Sequence, residues 1–191
     1  DRSLGEGLHP VHQYDGYFNT ASGEKISILN PSVESIHLED IAHALSNLCR
    51  FGGHTPYFYS VAQHSLLVMR LAEHANESDQ VQLAALMHDA TEAYVSDMIK
   101  PIKEIIGTPY EELEAGFEKV ISFKFDIDPA DFKKVKQYDR TVLEIEHATF
   151  FKKEAAAFIE LAPYGIYDQP NAKTAFLHHF NRLNRQMGGQ S

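Results

Sequence analysis

The chain has 191 residues, of which 43% are hydrophobic and 23% charged, a composition typical of one soluble globular domain. Its formal net charge of −10 argues against a protein that coats nucleic-acid polymers, because a phosphate backbone requires a basic surface. A small nucleotide needs only one local cation and a metal ion, so the charge does not exclude it. The single cysteine, Cys49, allows no disulfide within the chain and favours a reducing compartment.

No apolar run approaches the roughly 18 residues that a transmembrane helix requires. Residues 1–10 also lack the apolar core of a signal peptide. We therefore expect a cytoplasmic protein that binds no membrane. Homo-oligomers are compatible with the sequence, which does not define an oligomeric state.

The first predicted element is a β-hairpin. Residues 1–16 are rich in Gly, His and Asp and predict an irregular arm. Two short β-prone runs, residues 17–20 and 25–29, flank a Ser-Gly turn and predict the hairpin. We therefore expect a single domain, with the arm and hairpin in residues 1–37 and a helical core in residues 38–185.

Apolar residues at helical spacing continue through the rest of the chain. Ser60 is a predicted N-cap, and Asp128 precedes a helix with Pro129 at its first position. A Gly pair and a proline break the pattern between the first two helices. The predicted helices cover residues 38–49, 60–74, 79–94, 99–106, 110–125, 129–153, 154–161 and 172–185. The predicted fold class is therefore all-α, a helical bundle with a small N-terminal hairpin.

The helix predicted over residues 79–94 carries His88 and Asp89 side by side within an apolar run. Burying such a pair without a partner is costly, and a divalent metal ion suits an imidazole beside a carboxylate. Taken alone, such a pair is more often a buried histidine next to solvated acids. Because His64 and Asp139 each lie on another apolar helix, the pattern favours a metal site.

The order His64, His88-Asp89, Asp139 resembles that of the HD-domain metal-dependent phosphohydrolases, over about residues 41–146. This resemblance implies an HD-domain helical bundle in which these four residues bind one divalent metal ion. Two imidazoles and two carboxylates suit Mn, Co, Fe, Ni or Zn and, less well, Mg. A second metal site stays open, because the chain has 11 histidines.

Two segments, Cys49–His54 and Tyr59–Ser65, look more closely like the small bacterial and phage HD proteins that hydrolyse nucleotides. That likeness implies that Arg50 lies near the substrate phosphate, for which its planar guanidinium is suited. We expect Arg50 to bind phosphate rather than to hold the fold. Phe51 is implied to pack on the sugar or base. His54 is either a further phosphate contact or a structural histidine.

The same resemblance implies catalytic roles for two acids. Glu92 follows the metal-binding Asp89 by three residues and is expected to position or deprotonate the attacking water. Asp97 is expected to orient that water or to bond a sugar hydroxyl. Either acid can instead be a solvated helix residue. Lys100 and Lys103 can reach an anion, although such lysines are more often at the surface.

Two other activities of this superfamily are disfavoured. The (p)ppGpp hydrolases carry Glu-Asp after the His-Asp pair, whereas this chain has Glu92-Ala93. The di-iron oxygenases need further histidines between the pair and the last aspartate. No histidine lies between Asp89 and Asp139, which also argues against most dinuclear phosphodiesterases of the superfamily.

The sequence therefore predicts a metal-dependent phosphohydrolase acting on a small nucleotide, most simply a (deoxy)nucleoside 5′-monophosphate. A (deoxy)nucleoside triphosphate hydrolase on the same scaffold is one alternative. A metal-binding nucleotide sensor with little turnover is another, and the complete ligand set together with Glu92 favours the enzyme over it. A purely structural helical domain would leave His64 and the His-Asp pair unexplained.

Overall fold

The computed structural model describes residues 16–188, which begin with a short hairpin. Strand β1 (Tyr17–Asn19) pairs antiparallel with strand β2 (Lys25–Ser27). The predicted hairpin is therefore confirmed. Most of the predicted arm, residues 1–15, lies outside the described residues, and the proposed division of the domain stays a prediction.

Helices make up most of the chain after the hairpin, which confirms the predicted all-α class. Those within residues 16–188 are α1 (Leu38–Asn47), α2 (Val61–His74), α3 (Asp79–Met87), α4 (Glu92–Val95), α5 (Lys100–Ile106), α6 (Thr108–Phe125), α7 (Pro129–Lys152), α8 (Ala156–Leu161) and α9 (Gln169–Gln186). A 3₁₀ turn at Arg50–Gly53 separates α1 from α2. Within this part of the chain, no helix is long and apolar enough to cross a bilayer.

Side-chain caps begin the helices that position the site. The Ser60 side chain accepts a hydrogen bond from the backbone N–H of Gln63 at the start of α2. Asp128 caps α7 in the same way through the N–H of Ala130, with Pro129 in the first turn. Such caps satisfy amides that have no partner within the helix, so both helix starts follow from the sequence as predicted.

The core is centred on α2, which packs against α3, α7 and α9. Ten of the 14 residues of α2 are buried, among them Leu67, Val68 and Met69. Each large apolar side chain removed from water contributes roughly 1.5–3 kcal/mol of favourable free energy. His64 lies on this helix and is therefore fixed in the interior, with its side chain fully buried.

The helix predicted over residues 79–94 is interrupted where the His-Asp pair lies. Helix α3 ends at Met87, and α4 begins only at Glu92. Between them the backbone forms i→i−3 hydrogen bonds, from the Ala90 amide to the Met87 carbonyl and from the Glu92 amide to the Asp89 carbonyl. The prediction of one continuous helix is wrong here, because the apolar pattern continues through a turn that tertiary contacts stabilise.

Candidate metal centre

Three separate segments bring predicted metal ligands together. His64 is on α2, His88 directly follows α3, and Asp139 is on α7. Asp139 Oδ1 lies 3.1 Å from His64 Nε2 and 3.8 Å from His88 Nε2. One ligating atom from each residue lies within 4.8 Å of the others. Atoms that bind one ion at about 2.1 Å are themselves roughly 3–4 Å apart, so this spacing suits a single ion.

Asp89 completes the predicted ligand set. Its Oδ2 lies 3.2 Å from His88 Nε2 and 3.6 Å from His64 Nε2. His88 Nδ1 lies 2.8 Å from the Ala85 carbonyl oxygen, and an N–H donated there leaves the lone pair on Nε2. That Nε2 is buried and has no hydrogen-bond partner among residues 16–188. The donor set and this orphaned nitrogen both fit a divalent metal ion.

The charged groups at the centre shift the pKa values of Asp89 and His64 in opposite directions. Burial would raise the pKa of Asp89, but the two histidines and Arg50 hold it well below the usual range. Burial and Arg50 would lower the pKa of His64, but the Glu146 and Asp139 carboxylates raise it to about 9. A metal ion at this centre would therefore compete with a proton for His64.

Glu146 on α7 lies behind His64 and is fully buried. Its Oε1 accepts a hydrogen bond from the Tyr59 hydroxyl at 2.6 Å and lies 2.7 Å from His64 Nδ1. Its role was not predicted from the sequence. The available signal was its spacing, because Glu146 follows Asp139 by seven residues, which is two helical turns and places both on one face.

Arg50 begins the 3₁₀ turn and is only 8% exposed. Its Nη2 donates to Glu146 Oε2 at 3.1 Å, and its Nη1 lies 3.7 Å from Asp89 Oδ2. Its Nε is buried without a hydrogen-bond partner in the described part of the chain. The guanidinium therefore faces the centre with donors left for an anion, although its buried ion pair also joins the turn to α7.

The two other residues predicted around Arg50 lie in different surroundings. Phe51 has a φ of 55°, a left-handed conformation that costs a non-glycine residue about 1–3 kcal/mol. Its ring packs edge-on against His147 and Phe151 of α7, with ring centroids 5.4 Å away in both cases. His54 is exposed on the surface. The turn thus places Phe51, but not His54, in an aromatic cluster on α7.

The two predicted acids lie beside the centre. Glu92 is 6% exposed; burial, followed by the Asp89 and Asp97 carboxylates, raises its pKa well above the ordinary value. Lys103 opposes this shift, with its Nζ 3.7 Å from Glu92 Oε1. Burial also raises the pKa of Asp97. Lys100 is exposed and pairs with a neighbouring glutamate of α5, so the structure places only Lys103 beside the acids.

Comparison with known proteins identifies the family. A family model described as the HD domain matches residues 61–187. The chain belongs to the HD domain family. The HD domains are a superfamily of metal-dependent phosphohydrolases, so membership indicates a metal-dependent hydrolase. The matched range contains the four predicted ligands, both acids and Glu146, whereas the turn at Arg50–Gly53 precedes it.

Two relatives resemble this chain over most of its length. An uncharacterized protein of Rhodobacter capsulatus is 36% identical over 158 residues, which is 78% of this chain and 78% of the relative. The uncharacterized protein YfdR of Escherichia coli is 37% identical over 130 residues, which is 68% of this chain and 70% of the relative. These likenesses support the family assignment and leave the substrate open.

Proposed function

We propose that this HD-domain protein is a metal-dependent phosphohydrolase of nucleotides, with (deoxy)nucleoside 5′-monophosphates as its preferred substrates. The observation that carries this proposal is the position of Arg50 and Glu92. Arg50 is a buried cation with N–H donors that face the metal centre. Glu92 is a buried carboxyl group beside the metal centre. Phosphate-ester hydrolysis needs both a group that binds the phosphoryl oxygens and a group that accepts a proton from water.

Residues of this chain can perform each part of the hydrolysis, namely metal binding, phosphate binding and proton transfer. A divalent ion held by His64, His88, Asp89 and Asp139 would polarise a phosphoryl oxygen and lower the pKa of a water molecule. Arg50 binds phosphate oxygens through the N–H groups that Glu146 leaves available. Glu92 accepts the proton of the attacking water, because its carboxyl group is buried beside the predicted ligand Asp89.

Two groups next to these complete the proposed substrate site. Asp97 orients the attacking water or accepts a hydrogen bond from a sugar hydroxyl. Phe51 packs against the sugar or base, because its ring is only partly buried and follows Arg50 directly. His54 is exposed, so a phosphate contact from it requires the substrate to reach the outer end of the turn.

The balance of charge favours one phosphoryl group over three. With a net charge of −10, the protein repels anions at long range and needs a local cation for binding. Within residues 16–188, the cations beside the centre are Arg50 and Lys103, and Lys103 already pairs with Glu92 and Glu114. A triphosphate would need further cations, so the triphosphate hydrolase is the second candidate.

A nucleotide panel tests the proposal. Protein stripped with chelator and reloaded with Mn²⁺, Co²⁺ or Mg²⁺ is incubated with nucleoside and deoxynucleoside mono- and triphosphates, and the released phosphate and tripolyphosphate are measured. We expect phosphate release from the 5′-monophosphates. Tripolyphosphate release from triphosphates alone would favour the alternative hydrolase. Nucleotide binding with no turnover on any substrate would favour a sensor.

The Glu92→Ala variant tests the assigned chemistry. Because it removes a general base, its turnover should fall ~10²–10⁴-fold while metal and nucleotide binding persist. Glu112→Ala is a matched control, since Glu112 is exposed on α6, and it should keep full activity. Full turnover in the Glu92 variant would remove this residue from the mechanism.

A further inference from the structure

The buried Glu146 carboxylate contacts both His64, a predicted metal ligand, and Arg50, the predicted phosphate-binding residue. We propose that Glu146 is a positioning residue that orients His64 toward the metal ion and Arg50 toward the anionic group of the substrate. The part that concerns Arg50 rests on the proposed function. The part that concerns His64 depends only on metal binding.

Glu146 is placed to orient His64 rather than to bind the metal itself. It lies at the Nδ1 edge of the His64 ring, 2.7 Å away, whereas Asp139 and Asp89 face the Nε2 edge at 3.1 and 3.6 Å. Both Glu146 oxygens already accept hydrogen bonds, one from Tyr59 and the other from Arg50. The carboxylate is therefore fully occupied on the side of the ring away from the metal centre.

This arrangement selects the ligating nitrogen of His64. When Nδ1–H donates to Glu146, the lone pair of the neutral ring must reside on Nε2, which faces the other ligands. A carboxylate acceptor also raises the basicity of the ring and fixes its rotation. Removing such a partner from a metal-binding histidine typically weakens metal affinity 10–100-fold.

The same carboxylate fixes the guanidinium of Arg50. Glu146 accepts from Nη2, and this single bond leaves Nη1 near Asp89 and Nε without a partner in the described chain. A planar guanidinium held at one nitrogen presents its remaining N–H groups in a fixed direction. Glu146 therefore determines both where the metal is held and where an anion can be bound.

Variants at Glu146 test the proposal on the full chain. Glu146→Gln keeps the shape of the side chain but loses its charge and presents N–H groups to Arg50 or His64. Glu146→Asp keeps the charge but is too short to reach both partners. Tyr59→Phe is the matched control, because it removes a hydrogen bond to the same oxygen and leaves the Glu146 carboxylate present for His64 and Arg50.

Calorimetric titration of Mn²⁺ into the chelator-treated proteins is the first readout. We expect Kd to rise 10–100-fold in Glu146→Gln, to rise less in Glu146→Asp, and to stay within about threefold in Tyr59→Phe. Glu146→Gln should also raise KM for the preferred nucleotide more than it lowers kcat at saturating metal. A folded Glu146→Gln protein with wild-type Mn²⁺ affinity would show that the residue only supports the fold, and would overturn the proposal.

Nitrogen-15 NMR of the Zn²⁺-loaded wild-type protein needs no variant at Glu146 and covers the case in which both variants fail to fold. The His64 ring, assigned by its loss in His64→Gln, should carry its proton on Nδ1 and bind zinc through Nε2. Zinc bound at Nδ1 would overturn the proposal. Neither the Mn²⁺ titration nor the NMR experiment involves a substrate. The conclusion about His64 would therefore stand even if no nucleotide in the panel were hydrolysed.

Discussion

Arg50, His64 and Glu146 form a buried charged cluster. The cluster contributes to the stability of the fold as well as to the proposed site. Breaking a buried ion pair by removing one partner costs about 3–5 kcal/mol, because the remaining charge stays in a poorly solvated place. Arg50→Ala would leave the Glu146 carboxylate in that position. The sequence-based expectation that Arg50 does not hold the fold is therefore incomplete, and a test of phosphate binding needs a variant that keeps the charge.

The Arg50→Lys variant separates the two roles. A lysine amine can still pair with Glu146 but cannot also present a planar set of N–H donors toward the centre. We expect kcat/KM for a nucleoside monophosphate to fall at least about tenfold, with a melting temperature close to that of the wild type. Arg140→Lys, on the exposed face of α7, is the control and should change neither quantity. Full activity in Arg50→Lys would make Arg50 a structural residue only.

Some residues of the candidate site were predicted from the sequence, and others were not. His88 and Asp89 were predicted as ligands because a histidine beside an aspartate is unusual in an apolar run, and His64 and Asp139 were added because the order of the four resembles that of the HD-domain phosphohydrolases. Glu146 was not predicted, because a single acid in the charged sequence of α7 looks like a solvated residue. It accepts a hydrogen bond from Tyr59, which is 87 residues away in the chain, and helical periodicity carries no information about such a contact.

At the scale of elements, N-cap residues in the sequence correctly predicted where two of the helices begin. Ser60 and Asp128 cap the helices that their sequences predicted. The two local departures, the turn after Met87 and the left-handed Phe51, both lie at the site. The turn after Met87 contains no glycine or proline, whereas Phe51 is directly followed by Gly52 and Gly53, which share its positive φ. The glycine pair therefore indicated the break at Phe51, whereas propensity alone could not predict the turn after Met87.

Helix α9 carries a histidine that should make stability depend on pH. His179 is half-buried, and its Nδ1 has no hydrogen-bond partner within residues 16–188. Burial, then Arg182 and His178 on the same helix and Arg70 on α2, lower its pKa to about 4, although Glu73 acts in the opposite direction. Because the unfolded histidine titrates near 6.5, the unfolded state binds more protons between pH 6.5 and 4. Stability contributed by neutral His179 is therefore lost as the pH falls through this window.

The His179→Gln variant should show a shallower loss of stability below pH 6.5 than the wild type. Urea unfolding at several pH values from 4.5 to 7.5, with chelator present, measures the free energy of unfolding for each protein. His43→Gln is the control, since His43 is exposed on α1 and is not among the groups that shift the pKa of His179, and its curve should run parallel to that of the wild type. Parallel curves for the wild type and His179→Gln would contradict the assignment.

At the scale of the whole molecule, the metal centre joins segments that are far apart in sequence. His64 and Asp139 are separated by 75 residues, and the turn after α3 lies between them. The unfolded chain has no preformed site, so binding free energy adds directly to folding free energy. The packing of α2 against α3 and α7 thus brings the ligands together, and a bound ion in turn stabilises that packing.

Metal removal should therefore lower the melting temperature of the wild-type protein. At a free metal concentration of 100 times Kd, an ion that binds only the folded state adds about 2.7 kcal/mol, which for a chain of this size corresponds to about 5–10 °C. Thermal melts with excess chelator and after addition of Mn²⁺ measure this difference. Asp139→Ala should abolish the response, because it removes a ligand from a partly exposed position, whereas Glu144→Gln, at an exposed site on the same helix, should retain it. A full response in Asp139→Ala would mean that the ion binds elsewhere.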